Sequence, residues 1–390
     1  MATEVPAWWT VAMHWGYYVG LASVLGGSLA YLIALRPGLR PETSELSADQ
    51  CATLHRRSVR FLRRAGVVFM ITAYGLFATK LTPTGDGVSL GAVLGAAVSP
   101  TAIGQFVSTP VGADEWASYE DLVVAQNVLY ALVVLALLAL VREPVRRHLT
   151  MVARAAVVLT VAGCTVTSLP TSLTGPTLDD LQTAAFDLLH IVAGATWVGG
   201  LLYLALMTRR HVLGGPAGQF WAGVWQRFSV LALTAVGAVV TSGVWLAWKD
   251  VGSVSELWTT TFGRFLTAKL LLVGLLVCAG AYNQLILTPR IVRDVRISRA
   301  TEPPAQGRGR VPGFPTVVIV ETLLACGVLL IVPFLTAGSA RAQAGSPPAA
   351  TLNAGLLALS VTLVVALGVS LYATHRLSSH LTRREEGVPA

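Results

Sequence analysis

The chain has 390 residues, 54% of them hydrophobic and only 12% charged, with a mean hydropathy of +0.65. A soluble globular domain carries about a quarter charged residues, so that class is excluded. The formal net charge of +8 sits in Arg clusters between apolar runs, as orientation signals do, which argues against nucleic acid as a partner and for a lipid bilayer.

In chain order, apolar runs at 9–35, 61–81, 119–141, 151–169, 181–207, 228–248, 262–287, 314–335 and 351–372 are each long enough to cross roughly 30 Å of hydrocarbon. Their backbones must satisfy their own hydrogen bonds, which predicts helices. The expected fold class is all-α: a polytopic transmembrane helix bundle of about nine helices. The first run has no basic segment before it and is long enough to span, so it reads as a retained helix rather than a cleaved signal. The stretch 88–107 is apolar but rich in Gly, Ser and Thr, and reads as a surface-lying or re-entrant piece of a long outer loop. Segments 299–310 and 337–348 are Pro/Gly/Ala-rich connectors.

Arg36 to Arg64, Arg142 to Arg154, Arg209 to Arg227, Arg290 to Arg310 and Arg376 to Arg384 fall on one side of such a bundle. Asp86, Asp114, Glu115, Glu120, Asp121, Asp179, Asp180 and Glu256 fall on the other. By the positive-inside rule the Arg-rich side is cytoplasmic, giving a multi-pass protein of the cytoplasmic (plasma) membrane with its N-terminus outside and its C-terminus inside.

Two four-helix halves resemble each other, followed by one more helix: 1–170, 171–340 and 341–390. The first helix contains His14 and then Gly26-Gly27; the fifth contains His190 and then Gly199-Gly200. Thr101–Phe106 resembles Thr260–Phe265, Ala125-Gln126 resembles Ala268-Lys269, and Lys80 and Lys249 each close the second helix of a half. Both halves would start outside, a parallel repeat of the kind that places transport sites between halves.

Ionisable residues at membrane depth are costly, which makes each a functional candidate. His14 and His190 lie in the outer parts of their helices, whereas His55, His148, His211, His375 and His380 sit among the cytoplasmic Arg clusters as solvated loop residues. Asp187 and His190 are three apart and share a helix face, with Gly194 leaving that face open below the imidazole. Lys269 falls at about the depth of Asp187, so the two are expected either to pin their helices as an ion pair or to serve His190. Glu321 falls inward of the midplane, and Cys164, Cys326 and Cys278 at successively deeper levels. Each of these has a plain packing or helix-bridging reading beside the functional one.

These residues carry a resemblance. DLLHIVAGATWVGGLLYLAL (187–206), TTFGRFLTAKLLLVGLLVCAGAYNQLILTPR (260–290) and VVIVETLLACGVLLIVPFL (317–335) are similar, in order and in polar positions, to the copper resistance D (CopD) family of inner-membrane proteins. The resemblance covers about 181–336, with a fainter echo in the first half. It implies a copper-handling protein that moves copper ions across the cytoplasmic membrane beside a periplasmic or extracellular copper carrier. Carried over, His190, Trp197, Lys269 and Glu321 match the family's polar and aromatic positions. The family's Gly-His-Ala-like step is absent, since Gly175 is followed by Pro176.

On the copper reading, His14 and His190 capture the ion at the outer side with help from Met13 or Cys164, and Cys326, Cys278 and Glu321 offer stepping sites inward. No GxxxxGK[ST] motif and no catalytic constellation is visible, so transport would be passive or ion-coupled and the chain is not read as an enzyme. Two alternatives stand beside it. The pieces at 188–204 and 268–284 also resemble HemJ-type protoporphyrinogen oxidases, where an axial His beside Gly194 and a Lys at a propionate would suit haem. The third reading is an assembly subunit without transport. For the orientation, Cys51 is expected on the cytoplasmic side: a membrane-impermeant thiol reagent leaves it unmodified in intact cells and labels it in inverted vesicles. Labelling from outside would reverse every helix.

Overall fold

The computed structural model describes residues 7–39, 46–82, 89–172, 175, 177–208, 216–282, 314–336 and 338–347. Helix α1, Trp8–Leu29, runs on through a π-helical turn, Ala30–Leu35, until Pro37 removes the donor that would continue it. The wide turn presents the Ala34 carbonyl to another partner, and Arg227 donates to it at 2.8 Å. Helix α2, Ala48–Lys80, starts at a capping box: the Gln50 amide donates to the Ser47 hydroxyl at 3.3 Å and the Ser47 amide to the Gln50 side chain at 3.0 Å. It therefore begins among the Arg-rich residues, well before the apolar run that marks it in the sequence.

Helices α3, Leu90–Ala97, and α4, Pro100–Val107, meet at a 77° bend where Ser99 caps α4 and Pro100 opens it. No residue of α4 is buried. The 88–107 stretch is thus a broken pair rather than a straight span. Then come α5 (Tyr119–Leu138), α6 (Glu143–Arg146), α7 (Leu149–Ser168), α8 (Leu178–Thr208) and α9 (Pro216–Asp250). The last are α10 (Glu256–Thr259), α11 (Thr261–Tyr282), α12 (Phe314–Ile331) and α13 (Ala340–Ala344). Among the described residues there is no strand, only one isolated bridge between Glu115 and Ser172.

The protein is an all-α polytopic bundle. Seven of its described helices are long and apolar enough to cross a membrane, and Ile319–Leu335 is a shorter apolar one. The expected ninth helix at 351–372, the cytoplasmic tail and the connector at 299–310 lie outside the described residues. Ile71, Leu135, Val158 and Leu271 are each more than half exposed on the outer faces of their helices, a surface that hydrocarbon matches and water does not.

The core is built around α1 and α8. They run parallel: Tyr18 lies within electrostatic reach of Asp187 near one end, and Tyr31 within reach of Tyr203 near the other. Between these, Ala22 and Gly26 of α1 meet Ala195 and Gly199 of α8, a small-xxx-small pair that brings the two backbones into contact. A Cβ on Gly26 would lie 2.8 Å from the Gly199 Cα, and one on Gly199 would overlap the Ala22 carbonyl. Each helix then leans a neighbouring glycine on an aromatic ring of the next: Gly27 faces Phe61 of α2, and Gly200 faces Phe228 of α9.

Because its obstacle is backbone, Gly199→Ala has nowhere to relax and is expected to destabilise the protein by about 1–3 kcal/mol or more. Gly194→Ala, whose new methyl meets only a Val239 methyl at 3.9 Å, is expected to be tolerated. Melting temperatures in detergent compare the two; equal effects would remove the backbone contact from its central place.

Candidate functional site

The structure separates the candidate ligands into distinct surroundings. His14, half-buried on α1, donates its Nδ1 hydrogen to the Thr10 carbonyl of its own helix at 2.9 Å. In the glycine register it stands twelve residues before Gly26, whereas His190 stands nine before Gly199. The residue nine before Gly26 is Tyr17.

Tyr17 belongs to a neutral network among α1, α5 and α7. Its hydroxyl lies 3.2 Å from that of Tyr130 on α5, which lies 3.5 Å from the Cys164 sulfur on α7. The Gln126 amide donates to the Tyr130 hydroxyl at 3.2 Å, the Gly163 carbonyl at 3.0 Å and the Thr167 hydroxyl at 2.8 Å. Cys164 is 4% exposed inside this network, bonded as a helix-bridging group.

His190 has a different setting. Its Nδ1 lies 3.0 Å from the Ser242 hydroxyl of α9, and Lys269 of α11 lies within electrostatic reach of the ring. Ser242 was not singled out by the sequence; the polar run Thr241-Ser242-Gly243 inside an apolar helix is the signal that marks it. The expected partner, Asp187, is not among the groups acting on the His190 ring; its charge acts on Tyr18 of α1, Cys164 of α7 and Asp250 of α9. Asp187 and Lys269 do not form the ion pair that their common depth suggested. Among the described residues the ion pairs are Lys249–Asp179, which the Thr183 hydroxyl joins at 3.0 Å, and Arg146–Glu143 at 3.1 Å. Depth along two helices says nothing about which faces meet, and here they do not.

The inward candidates are spread as well. Glu321 on α12 is buried at 2% exposure, while Cys326 on the same helix is half-buried and its carbonyl accepts the Trp15 indole hydrogen at 3.1 Å. Cys278 is exposed, beside the exposed Leu275 and Val277 of α11. Trp197 is buried in the α8 core. Among the described residues, no three His, Cys, Asp or Glu side chains gather into a group that holds a metal ion. Beside Gly194, a Cβ would meet one Val239 methyl of α9 at 3.9 Å and nothing else within 4 Å, so α9 borders this face without packing it tightly. His55 is no free loop residue either, since its Nε2 donates to the Arg146 carbonyl at 3.2 Å.

One acidic side chain on the acidic side of the bundle has a local task. Glu256 on α10, between α9 and α11, accepts from the Gly252 amide at 2.8 Å and from the Ser346 hydroxyl at 2.8 Å. The Gly252 amide first, then the Ser346 hydroxyl, holds its carboxyl below the usual range. These bonds fasten the α13 region over the α9–α11 turn, where Arg341 donates to the Trp248 carbonyl at 3.0 Å.

Residues 222–335, from α9 to α12, match the family described as Copper resistance protein D (CopD). The chain is similar to the Copper transport protein CutJ of Bacillus subtilis (strain 168), with 33% identity over 113 residues. That match spans 29% of this chain and 20% of the relative's length. No solved structure matches. The family segment contains Ser242, Lys269, Cys278, Glu321 and Cys326, and begins after α8 with His190 and Trp197.

Two double-mutant cycles distinguish the pairings. Asp179→Asn with Lys249→Met is expected to show a coupling energy of about 1 kcal/mol in thermal stability, whereas Asp187→Asn with Lys269→Met adds without coupling. Coupling in the second cycle would restore the pair that the structure separates.

Proposed function

We propose, from the match of residues 222–335 to the Copper resistance protein D (CopD) family, that this chain moves copper ions across the cytoplasmic membrane. The observation that carries this reading is the His190 imidazole. It is held by a hydroxyl from the family-matched α9 and stands within reach of Lys269 on the family-matched α11. An imidazole at membrane depth is among the commonest metal ligands.

Copper meets His190 near the level at which the Cys326 backbone on α12 bonds Trp15 of α1, and then passes inward past Glu321 on the same helix. Contacts made by one or two side chains at a time suit an ion that must leave as readily as it enters. Cys164 and His14 stand aside from this route, in the network of the first half and on the outermost turns of α1. The ion arrives from the side that bears Asp179, Asp180 and Glu256, delivered by an extracellular or periplasmic carrier, with the Arg-rich side cytoplasmic.

The two-half organisation supports the same reading. With Gly26-Gly27 set against Gly199-Gly200, Tyr17 takes the place of His190, and Gln126 takes that of Lys269. The equivalent positions are thus a closed neutral network in one half and an ionisable pair in the other. The Thr101–Phe106 and Thr260–Phe265 pieces are weaker support, because the first lies on the separate helix α4 and the second leads into α11.

Copper accumulation in cells, corrected for protein abundance, tests the proposal. His190→Ala and His190→Gln are each expected to lower it on the order of tenfold. Gln keeps a hydrogen bond to α9 but supplies no imidazole, so wild-type accumulation in both variants would reduce His190 to a helix bridge.

A further inference from the structure

We infer that Ser242 is the positioning residue of His190: it fixes the hydrogen on Nδ1 and leaves Nε2 as the nitrogen that meets the ion. This rests on the copper reading of His190 given above.

Ser242 is fully buried at the α8–α9 contact. Its Oγ lies 2.6 Å from the Ala238 carbonyl and 3.2 Å from the Val239 carbonyl, the back-bonding geometry of a hydroxyl inside a helix. A hydroxyl has one hydrogen and a carbonyl only accepts, so that hydrogen is committed to α9's own backbone. What Ser242 offers to His190 is a lone pair. The Nδ1 at 3.0 Å must then be the donor, and in a neutral imidazole the other nitrogen keeps its lone pair.

The remaining neighbours agree with this assignment. The Val239 carbonyl is a second acceptor within hydrogen-bonding reach of the ring. Lys269, the charged group acting on the ring from α11, has only donors and cannot compete for the Nδ1 hydrogen. The ring edge also lies against Gly243, where a Cβ would sit 3.4 Å from Cε1 and 3.8 Å from Nδ1. Ser242 lies within the family-matched segment and His190 before it, so this bond ties the candidate ligand to the family core. A partner that fixes which imidazole nitrogen is metallated typically changes metal affinity by about 10–100-fold when removed.

The test uses the purified full chain in detergent and a chromophoric Cu(I) chelator as competitor, with His190→Ala, Ser242→Ala and Ser242→Thr. Ser242→Ala is expected to weaken Cu(I) binding by about 10–100-fold, and Ser242→Thr, which keeps the hydroxyl, to recover most of it. A second readout needs no metal. With ¹⁵N-labelled histidine rings, the His190 signals, identified by their absence in His190→Ala, are expected to show one tautomer with Nδ1 protonated in the wild type and a mixture in Ser242→Ala. If His190→Ala loses binding while Ser242→Ala keeps wild-type affinity and the same single tautomer, the positioning role is overturned and the copper reading stands. If His190→Ala itself binds Cu(I) as the wild type does, the copper reading of His190 fails.

Discussion

The backbone contact between α1 and α8 is the constraint on which the rest of the bundle depends. Lipid offers no hydrophobic drive for one apolar helix to choose another, so close approach has to come from small residues that let backbones touch. Gly26 and Gly199 provide it, with Ala22 and Ala195 one turn away. Once these helices are parallel and in contact, α2 settles on α1 through Phe69 and Phe61, and α9 on α8 through Phe228. That docking brings Ser242 to His190, because α9 runs antiparallel to α8 from the Gly200–Phe228 contact to the Lys249–Asp179 pair.

Two polar clusters inside the bundle are built differently. In the first, Tyr17, Tyr130, Gln126, Cys164 and Thr167 bond to one another and to backbone, a neutral network that holds three helices together. In the second, His190 is fixed at one ring nitrogen by Ser242 and has a cation nearby. A closed network of hydroxyls and amides rigidifies. A half-committed imidazole retains chemistry. The segment that matches the CopD family supplies the Ser242 and Lys269 that surround that imidazole.

Much of this was legible in the sequence, and the missing part has a common physical origin. Apolar length and the Arg pattern gave the class and seven of the spans, and the Gly-rich stretch at 88–107 is the bent pair α3–α4. The polar positions carried the family resemblance before any geometry was known. What depth along a helix does not contain is azimuth. Asp187 and Lys269 share a level yet face different neighbours, and Cys278 lies at membrane depth on an exposed face. Ser242 was passed over because a lone serine in an apolar helix ordinarily satisfies itself by back-bonding, and only packing shows the second bond it makes.

The central claim is that this chain conducts copper ions. It is tested most directly by reconstituting the purified protein in liposomes that enclose a Cu(I)-responsive fluorophore and adding Cu(I) outside as a weak chelator complex. The account predicts copper entry well above that of empty liposomes, saturating with copper concentration and lost in the His190→Ala protein. Entry no faster than in empty liposomes, with the protein folded and inserted in both orientations, would contradict it.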